Sequence, residues 1–225
     1  DICFSRKINK AKNAVNFLPH QLYHIYNQGN NGQVIFRDKE DYFTFLRLTR
    51  IYILVHADIV AWCLMPNHFH LLLFTQEKSC VMLQQGGIKI EKLTNGIRKL
   101  LSSYARIFNK RYGQTGSVFR QKTKAKIVSP PETFLQNIYS WQEYSSTCFR
   151  YIHQNPVLAG LVKKASEWPY SSYADYAGLR NGSLCNKEIA ERLCGYNGTD
   201  FEAEMERLIP EDMRRVFEQV PVTKN

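Results

Sequence analysis

Residues 61–75 read Ala-Trp-Cys-Leu-Met-Pro-Asn-His-Phe-His-Leu-Leu-Leu-Phe-Thr. The segments 58–64 and 68–74 are both rich in Val, Ile, Leu, Phe and Trp, whereas the Met-Pro-Asn sequence between them carries residues that are typical of turns. This pattern predicts a β-hairpin with two histidines on its second strand.

His68 and His70 are separated by one residue on this predicted strand. Because strand side chains alternate, both imidazoles project from one face, while Phe69 and Leu71 project from the other. Burying two imidazoles without partners would cost roughly 1–3 kcal/mol each. The pair therefore indicates half of a metal site, although two polar residues on a solvated sheet face would show the same spacing.

A second informative segment, residues 150–162, reads Arg-Tyr-Ile-His-Gln-Asn-Pro-Val-Leu-Ala-Gly-Leu-Val. If residues 149–155 form the last turns of a helix stopped by Pro156, Tyr151 and Asn155 lie one turn apart on the same face. This face would present a phenol and a carbonyl oxygen to the two imidazoles. In the alternative interpretation, Asn155 is a helix-end residue and Tyr151 is a core aromatic.

Together these segments resemble the HUH nucleases of the single-tyrosine transposase class, the IS200-like family, and most closely the REP-associated tyrosine transposases. The resemblance covers roughly residues 22–176 and rests on four segments in the same order. They are 23–36 (Tyr-His-Ile-Tyr-Asn-Gln-Gly-Asn-Asn-Gly-Gln-Val-Ile-Phe), 65–73, 151–162 and 167–173 (Glu-Trp-Pro-Tyr-Ser-Ser-Tyr).

The order of predicted elements agrees with this resemblance. Hydrophobic periodicity predicts a strand at 21–27, a helix at 39–55, the hairpin, a second helix ending near residue 113, and a strand at 117–128. This is the order of an α+β, ferredoxin-like split βαβ unit, with an antiparallel four-stranded sheet and helices on one face. A helix over 130–144 is expected to lead into the tyrosine helix. We predict a flexible arm (1–18), a nuclease domain (19–177) and a helical C-terminal extension (178–225).

Composition adds further expectations. The chain has 225 residues, of which 44% are hydrophobic, so it can bury a full core. It contains no apolar run of the roughly 18 residues that a membrane span needs, and its polar start lacks the core of a signal peptide, which predicts a cytoplasmic protein without a membrane partner. The six cysteines show no Cys-x-x-Cys spacing, and no phosphate-binding loop is present, which predicts no zinc finger and no nucleotide cofactor.

The formal charge of +10 is concentrated between residues 86 and 128, a segment that contains eleven basic residues and a single acidic residue, Glu91. Such an excess indicates a polyanion-binding surface, although a solvated helix face would also carry charge. The predicted DNA contacts in this segment are Lys89, Arg98, Lys99, Arg106, Arg120, Lys122, Lys124 and Lys126. Exposed Asn30, Asn31, Gln33 and Arg37 are candidates for base contacts, although a plain turn would explain them equally well.

The resemblance also implies roles for the site residues. His68 and His70, with a third side chain, would hold a divalent ion, and Tyr151 would attack the scissile phosphate to give a 5′-phosphotyrosine and a free 3′-OH. Many family members carry glutamine four residues after the tyrosine. This chain has Asn155 at that position, and its side chain is one methylene shorter, which disfavours direct ligation of the ion. The expected ion is Mg²⁺ or Mn²⁺, with zinc as a further possibility. His153 is a possible contact to DNA or to a transferred proton.

The substrate implied is single-stranded DNA, possibly with a hairpin, and both a monomer and a homodimer are compatible with the family. Two other functions remain open at this point. One is a non-catalytic nucleic-acid-binding protein on the same fold. The other is a histidine-dependent nucleotide hydrolase, which usually needs a third histidine on the strand, where this chain has Leu72.

Overall fold

The structure, a computed structural model, describes residues 16–128 and 138–217. Its centre is a four-stranded antiparallel sheet in the order β2-β3-β1-β6. The strands are β1 (Leu22–Gln28), β2 (Ala57–Met65), β3 (His68–Thr75) and β6 (Lys124–Ile127). With the helices α1 (Lys39–Tyr52) and α3 (Lys92–Tyr112), they form the predicted α+β, ferredoxin-like unit, which confirms the fold class. Three short elements connect β3 to α3: α2 (Glu77–Cys80) and the hairpin of β4 (Met82–Gln85) with β5 (Ile88–Glu91).

Helices α1 and α3 pack on one face of the sheet. Helix α1 begins after its N-cap residue Asp38, whose carboxylate accepts hydrogen bonds from the backbone N–H groups of Glu40 (3.0 Å) and Asp41 (3.2 Å). Gly96 lets the two helices approach closely, because a Cβ atom there would lie 2.3 Å from the carbonyl oxygen of Tyr52. The core on this face is largely aromatic, including Phe45, Phe69 and Tyr104.

Helix α4 (Ile138–Leu158), which carries Tyr151, covers the opposite face of the sheet. The C-terminal helices pack beside it: α5 (Tyr173–Tyr176), α6 (Lys187–Cys194), α7 (Phe201–Glu206) and α8 (Glu211–Phe217). Strands β2 and β3 are consequently buried on both faces. The prediction that Pro156 stops α4 after residue 155 is wrong: the helix continues three residues further, to Leu158, and the carbonyl of Asn155 accepts a hydrogen bond from the Ala159 N–H (2.9 Å).

The predicted strand at 117–128 is regular only over Lys124–Ile127. The preceding residues are held in an irregular path because Asn27 Nδ2 donates to the Arg120 carbonyl (3.1 Å) and to Thr123 Oγ1 (3.0 Å). These side-chain bonds replace part of the backbone ladder. The cations of this segment therefore do not form one continuous row on a strand.

Three predicted segments lie partly outside the described residues. They are the arm (residues 1–15 of 1–18), the helix that leads into the tyrosine helix (130–137 of 130–144) and the C-terminal extension (218–225 of 178–225). Phe17, within the predicted arm, is buried, and its N–H donates to Glu91 Oε1 (3.1 Å). The division into an arm, a domain and an extension stays a prediction. Across residues 16–128 and 138–217, no helix combines the length and apolar character that a bilayer span requires.

Candidate active site

The two histidines of β3 face α4. Both imidazoles are buried, with 1% (His68) and 0% (His70) of their surface exposed, and their ring centroids lie 5.0 Å apart. They are held in place by neighbouring strands on both sides, because β3 pairs with β1 and β2 along its whole length. The register sets Tyr26 of β1 opposite His70, and the two rings lie 5.9 Å apart.

Helix α4 brings Tyr151 and Asn155 to the same point. Asn155 Oδ1 lies 3.2 Å from His68 Nε2, and Asn155 Nδ2 lies 3.3 Å from His70 Nε2. One turn earlier, the Tyr151 ring lies 5.6 Å from the His70 ring, nearly perpendicular to it. The helix thus presents a phenol and an amide to the histidine pair, as its four-residue spacing suggested.

The surroundings of His68 are chemically informative. Each of its ring nitrogens faces a carbonyl oxygen: Nδ1 lies 2.7 Å from Asn67 Oδ1, and Nε2 lies 3.2 Å from Asn155 Oδ1. Burial lowers the pKa of His68 to about 4, so its ring is neutral near pH 7 and carries one proton. One nitrogen–oxygen pair therefore has no hydrogen between its atoms.

A proton on Nδ1, at the shorter contact, leaves the lone pair of Nε2 directed at the Asn155 oxygen. A cation bound by both atoms would remove this repulsion, so the arrangement fits a metal ligated by His68, His70 and Asn155. In the described part of the chain, no group of three or more His, Cys, Asp or Glu side chains is arranged to hold a metal.

His24 of β1 belongs to the same cluster, although the sequence did not single it out. Its Nε2 lies 2.8 Å from His70 Nδ1, and the two rings stack with centroids 5.0 Å apart. Burial, with a contribution from Lys126, lowers the pKa of His24 to about 3, so this ring is also neutral near pH 7. Its Nδ1 atom is buried and has no hydrogen-bond partner in the structure as described. Strand alternation predicts that His24 and Tyr26 share one face of β1. Their contact with His70 depends on the register between β1 and β3, which the sequence does not show.

Helix α8 covers the tyrosine. The Phe217 ring stacks on Tyr151 at 5.2 Å and also contacts the rings of His24 (6.1 Å) and Tyr144 (5.2 Å). Tyr151 is only 3% exposed as a result. Lys126 Nζ donates to the Val216 carbonyl (2.6 Å), which ties the end of α8 to the sheet edge.

The predicted cationic contacts lie mostly on the surface. The exposed ones are Lys89, Arg98, Lys99, Arg106, Arg120, Lys122 and Lys124, and Lys126 is half-buried. Within the described residues, none of these eight forms an ion pair with an acidic side chain. Lys124 and Lys126 pair with Tyr26 and His24 across the β6–β1 ladder, so they lie on the same sheet face as the histidine pair.

The remaining predicted DNA contacts differ in accessibility. Asn30 and Asn31 are exposed, and Asn31 has a left-handed backbone (φ 52°). Arg37 is exposed, and its guanidinium lies over the Tyr112 ring (4.2 Å). His153, by contrast, is fully buried, with Nε2 2.8 Å from Ser172 Oγ. His153 therefore has no exposed surface with which to contact DNA in this structure, and its contact to a transferred proton stays a prediction.

The structure thus brings two strand histidines next to a tyrosine and an amide one helical turn apart, the arrangement that the sequence motifs predicted. The chain is similar to a Haemophilus influenzae protein named "Putative REP-associated tyrosine transposase", with 28% identity over 116 residues that cover 52% of this chain. It spans 58% of that relative's length. The relative confirms the resemblance that the sequence motifs indicated. No protein-family model matches the chain.

Two solved structures also align with the fold. A REP-associated tyrosine transposase bound to a REP hairpin aligns at 14% identity and a TM-score of 0.49, over 78% of this chain and 94% of that one. A bacterial tRNA(His) guanylyltransferase-like protein in complex with ATP aligns at 10% identity and a TM-score of 0.34, over 63% of this chain and 64% of that one.

Proposed function

We propose that this chain is a metal-dependent HUH endonuclease and strand transferase that cleaves and rejoins single-stranded, hairpin-bearing DNA through a 5′-phosphotyrosine intermediate. The observation that carries the proposal is the convergence of His68, His70, Tyr151 and Asn155 between β3 and α4, with the Tyr151 ring 5.6 Å from that of His70. The similarity to a REP-associated tyrosine transposase supports it.

His68, His70 and Asn155 would hold the divalent ion. Two neutral imidazoles and one amide oxygen suit Mn²⁺ or Mg²⁺ and leave positions for phosphate and water. When bound, the ion would polarise the scissile phosphate and stabilise the negative charge that grows on its oxygens. The burial of both imidazoles helps to keep them deprotonated, as ligands must be.

Tyr151 would be the nucleophile. Its phenolic oxygen attacks phosphorus, the bond between phosphorus and the 3′ oxygen breaks, and the products are a 5′-phosphotyrosine and a 3′-OH. The phenol loses its proton and the leaving oxygen gains one, so the step needs no oxidant or reductant. Because the phosphotyrosine ester keeps the energy of the broken bond, a second 3′-OH can displace Tyr151 without a nucleotide cofactor.

Single-stranded DNA fits the surroundings of the site better than a duplex does. The nucleophile lies in a buried position between a sheet and a helix, which an exposed single strand can approach most closely. Exposed Lys124 and half-buried Lys126 lie on the same sheet face, where they can contact phosphates on the approach to Tyr151. Both a monomer and a homodimer are compatible with the proposal.

One observation favours a second function, a nucleic-acid-binding protein without catalysis. Phe217 stacks on Tyr151 and leaves it 3% exposed, so a substrate phosphate cannot reach the phenol unless α8 moves. If α8 stays in place, the fold would serve only as a surface that binds nucleic acid. The two functions differ in whether a covalent product forms.

The test is incubation with single-stranded hairpin DNA and Mn²⁺ or Mg²⁺, followed by denaturing electrophoresis. A covalent protein–DNA band is expected from the native chain and should be absent in EDTA. Tyr151→Phe should abolish the band while leaving DNA affinity nearly unchanged, because the ring is kept and only the attacking oxygen is lost.

Tyr144→Phe is the matched control on the same helix, since Tyr144 also contacts Phe217, and it should keep the band. A band that survives in Tyr151→Phe would assign the nucleophile elsewhere. A native chain that binds DNA but gives no band with either ion would favour the non-catalytic function.

A further inference from the structure

A cleft with a volume of about 640 Å³ opens between α3 and the segment 117–125. It lies on the sheet face opposite the candidate active site, because Ile25 of β1, which faces α1 and α3, forms part of its floor. Its volume falls within the range of roughly 300–1,000 Å³ that is usual for small-molecule and cofactor pockets.

The α3 wall of the cleft is one continuous stripe of the helix. Its members are Thr94, Ile97, Arg98, Leu101, Ser102 and Ala105, which recur at the spacing of a single helical face. Ile97, Leu101 and Ala105 are half-buried, and each packs against the core while also lining the cleft. The core therefore covers these three side chains only in part, and their remaining aliphatic surface faces the cleft.

The rim of the cleft is cationic. Arg98, Arg120 and Lys122 line it, whereas Lys124, also at the cleft edge, projects its side chain toward the opposite sheet face. No Asp or Glu is among the lining residues. The Arg98 guanidinium donates to two neutral amide oxygens, Gln85 Oε1 (3.1 Å) and Asn95 Oδ1 (2.9 Å), so its charge is not neutralised by them. An occupant should consequently combine an apolar part with negative charge.

We propose that this cleft binds one unstacked base of single-stranded DNA, with the adjoining phosphates on the cationic rim. The proposal rests on the proposed function and adds a second contact site to it. A nucleobase presents apolar faces to Ile97, Leu101 and Ala105, and its polar edges can meet side chains such as Thr94 and Gln121. A purely anionic partner would use the rim but leave the aliphatic wall unused.

The position of β6 connects the cleft with the candidate active site. This strand is at the edge of the described sheet, and its cations Lys124 and Lys126 follow the rim residue Lys122 along the chain. A strand whose base lies in the cleft would cross this edge to reach the face that carries Tyr151. The cleft would then fix the register of the DNA relative to the nucleophile.

The test is fluorescence anisotropy with a series of labelled single strands, each carrying one abasic position and an intact backbone. Removing the base at one position should lower the affinity of the chain for the strand by about 5- to 150-fold, the usual effect of losing a stacked base. Removing the base at any other position should lower the affinity little. Ala105→Phe, which fills the cleft, should weaken binding of the intact strand similarly and remove the dependence on that one base.

Ile107→Phe is the matched control, because it adds an aromatic ring at an exposed position of α3 that does not line the cleft, and it should behave as the native chain does. Ser102→Phe, at an exposed lining position, replaces Ala105→Phe if circular dichroism shows that the latter does not fold. The proposal is overturned if all abasic strands bind the native chain with equal affinity. It is also overturned if the variants with a filled cleft show the same dependence on one base as the native chain. Covalent adduct formation, measured in parallel, separates this failure from a failure of the proposed function.

Discussion

The Nε2 atom of His24 lies 2.8 Å from the Nδ1 atom of His70, so a second buried histidine contacts the candidate metal ligand from β1. Asn155 Nδ2, a donor, lies 3.3 Å from His70 Nε2, so Nε2 accepts and the proton of His70 is on Nδ1. His70 then donates to His24 and keeps its Nε2 lone pair directed at the candidate metal position. We therefore infer that His24 would position His70 for metal binding.

Replacing His24 should weaken metal binding before any DNA is added. His24→Leu removes the acceptor for His70 Nδ1–H and should reduce Mn²⁺ affinity by about 10- to 100-fold, as is usual when the partner of a ligating histidine is lost. His24→Gln, which retains an acceptor oxygen, should recover part of this loss. The measurement is isothermal titration calorimetry with MnCl₂.

His153→Leu is the matched control for this experiment. His153 is as deeply buried as His24, but its partner is Ser172, away from the histidine pair. It should leave Mn²⁺ affinity unchanged. If His24→Leu and His153→Leu weaken Mn²⁺ binding equally, the effect is a general loss of packing and His24 has no special role.

The difference between His24 and the other site residues shows what the sequence could predict. His68 and His70 share a strand, and Tyr151 and Asn155 share a helix, so local periodicity was sufficient to place each pair on one face. Bringing the pairs together, and adding His24, depends on the pairing of β1 with β3, which hydrophobic patterns leave undetermined.

Phe217 was beyond prediction for a related reason. It belongs to a short C-terminal helix, and nothing in its own neighbourhood indicates that its ring stacks on Tyr151. The segment before β6 was mispredicted because Asn27, on another strand, bonds to the Arg120 carbonyl and to Thr123. Contacts of this kind arise from side chains far apart along the chain.

Removing the Phe217 ring should make Tyr151 more accessible. An aromatic pair contributes roughly 0.5–1.5 kcal/mol beyond its area burial, so Phe217→Ala should raise the population of uncovered sites by about 2- to 10-fold. Initial rates of covalent adduct formation at saturating Mn²⁺ measure this directly. Val216→Ala, which changes an exposed side chain and keeps the backbone contact to Lys126, is the control. Unchanged or slower adduct formation by folded Phe217→Ala would contradict a covering role for α8.

The buried histidines should make the fold sensitive to mild acid. Burial lowers the pKa of His24 and His153 to about 3, that of His68 to about 4, and that of His70 well below its ordinary value. Between pH 6.5 and these values the unfolded chain binds protons that the folded chain excludes, so stability is greatest above pH 6.5 and falls as the pH falls. Each histidine adds a slope of up to about 1.4 kcal/mol per pH unit.

Urea unfolding of the metal-free chain between pH 7.5 and 5 measures this dependence. The free energy of unfolding should be nearly constant down to pH 6.5 and then decrease. His153→Gln should be less steep than the native chain by up to about 1.4 kcal/mol per pH unit, since it removes one titrating group. Native stability that does not change down to pH 5 would show that these imidazoles are not held neutral by burial.

Three lysines lead along the chain from the cleft to the sheet face of the candidate site. Lys122 and Lys124 are exposed, Lys126 is half-buried, and none forms an ion pair with an acid in the described residues. If they contact the DNA backbone, affinity for single strands should fall with the logarithm of salt concentration, with a slope of about −0.7 per phosphate neutralised. Reversing all three to Glu should flatten that slope by about 2 units and weaken binding similarly for every sequence, because phosphate contacts carry no base information.

Anisotropy titrations at several salt concentrations provide the measurement for this charge reversal, with a control of equal net charge. Reversing Lys39, Arg47 and Arg50 to Glu alters three exposed positions of α1, away from the cleft and β6. This control should change the slope much less, since only cations in contact with the strand release counterions from it. The reversal of Lys122, Lys124 and Lys126 should reduce adduct formation at saturating protein less than it reduces affinity, because the proposed chemistry depends on His68, His70 and Tyr151. Equal changes of slope in the two triple variants would mean that net charge alone attracts DNA and that β6 does not direct the strand to Tyr151.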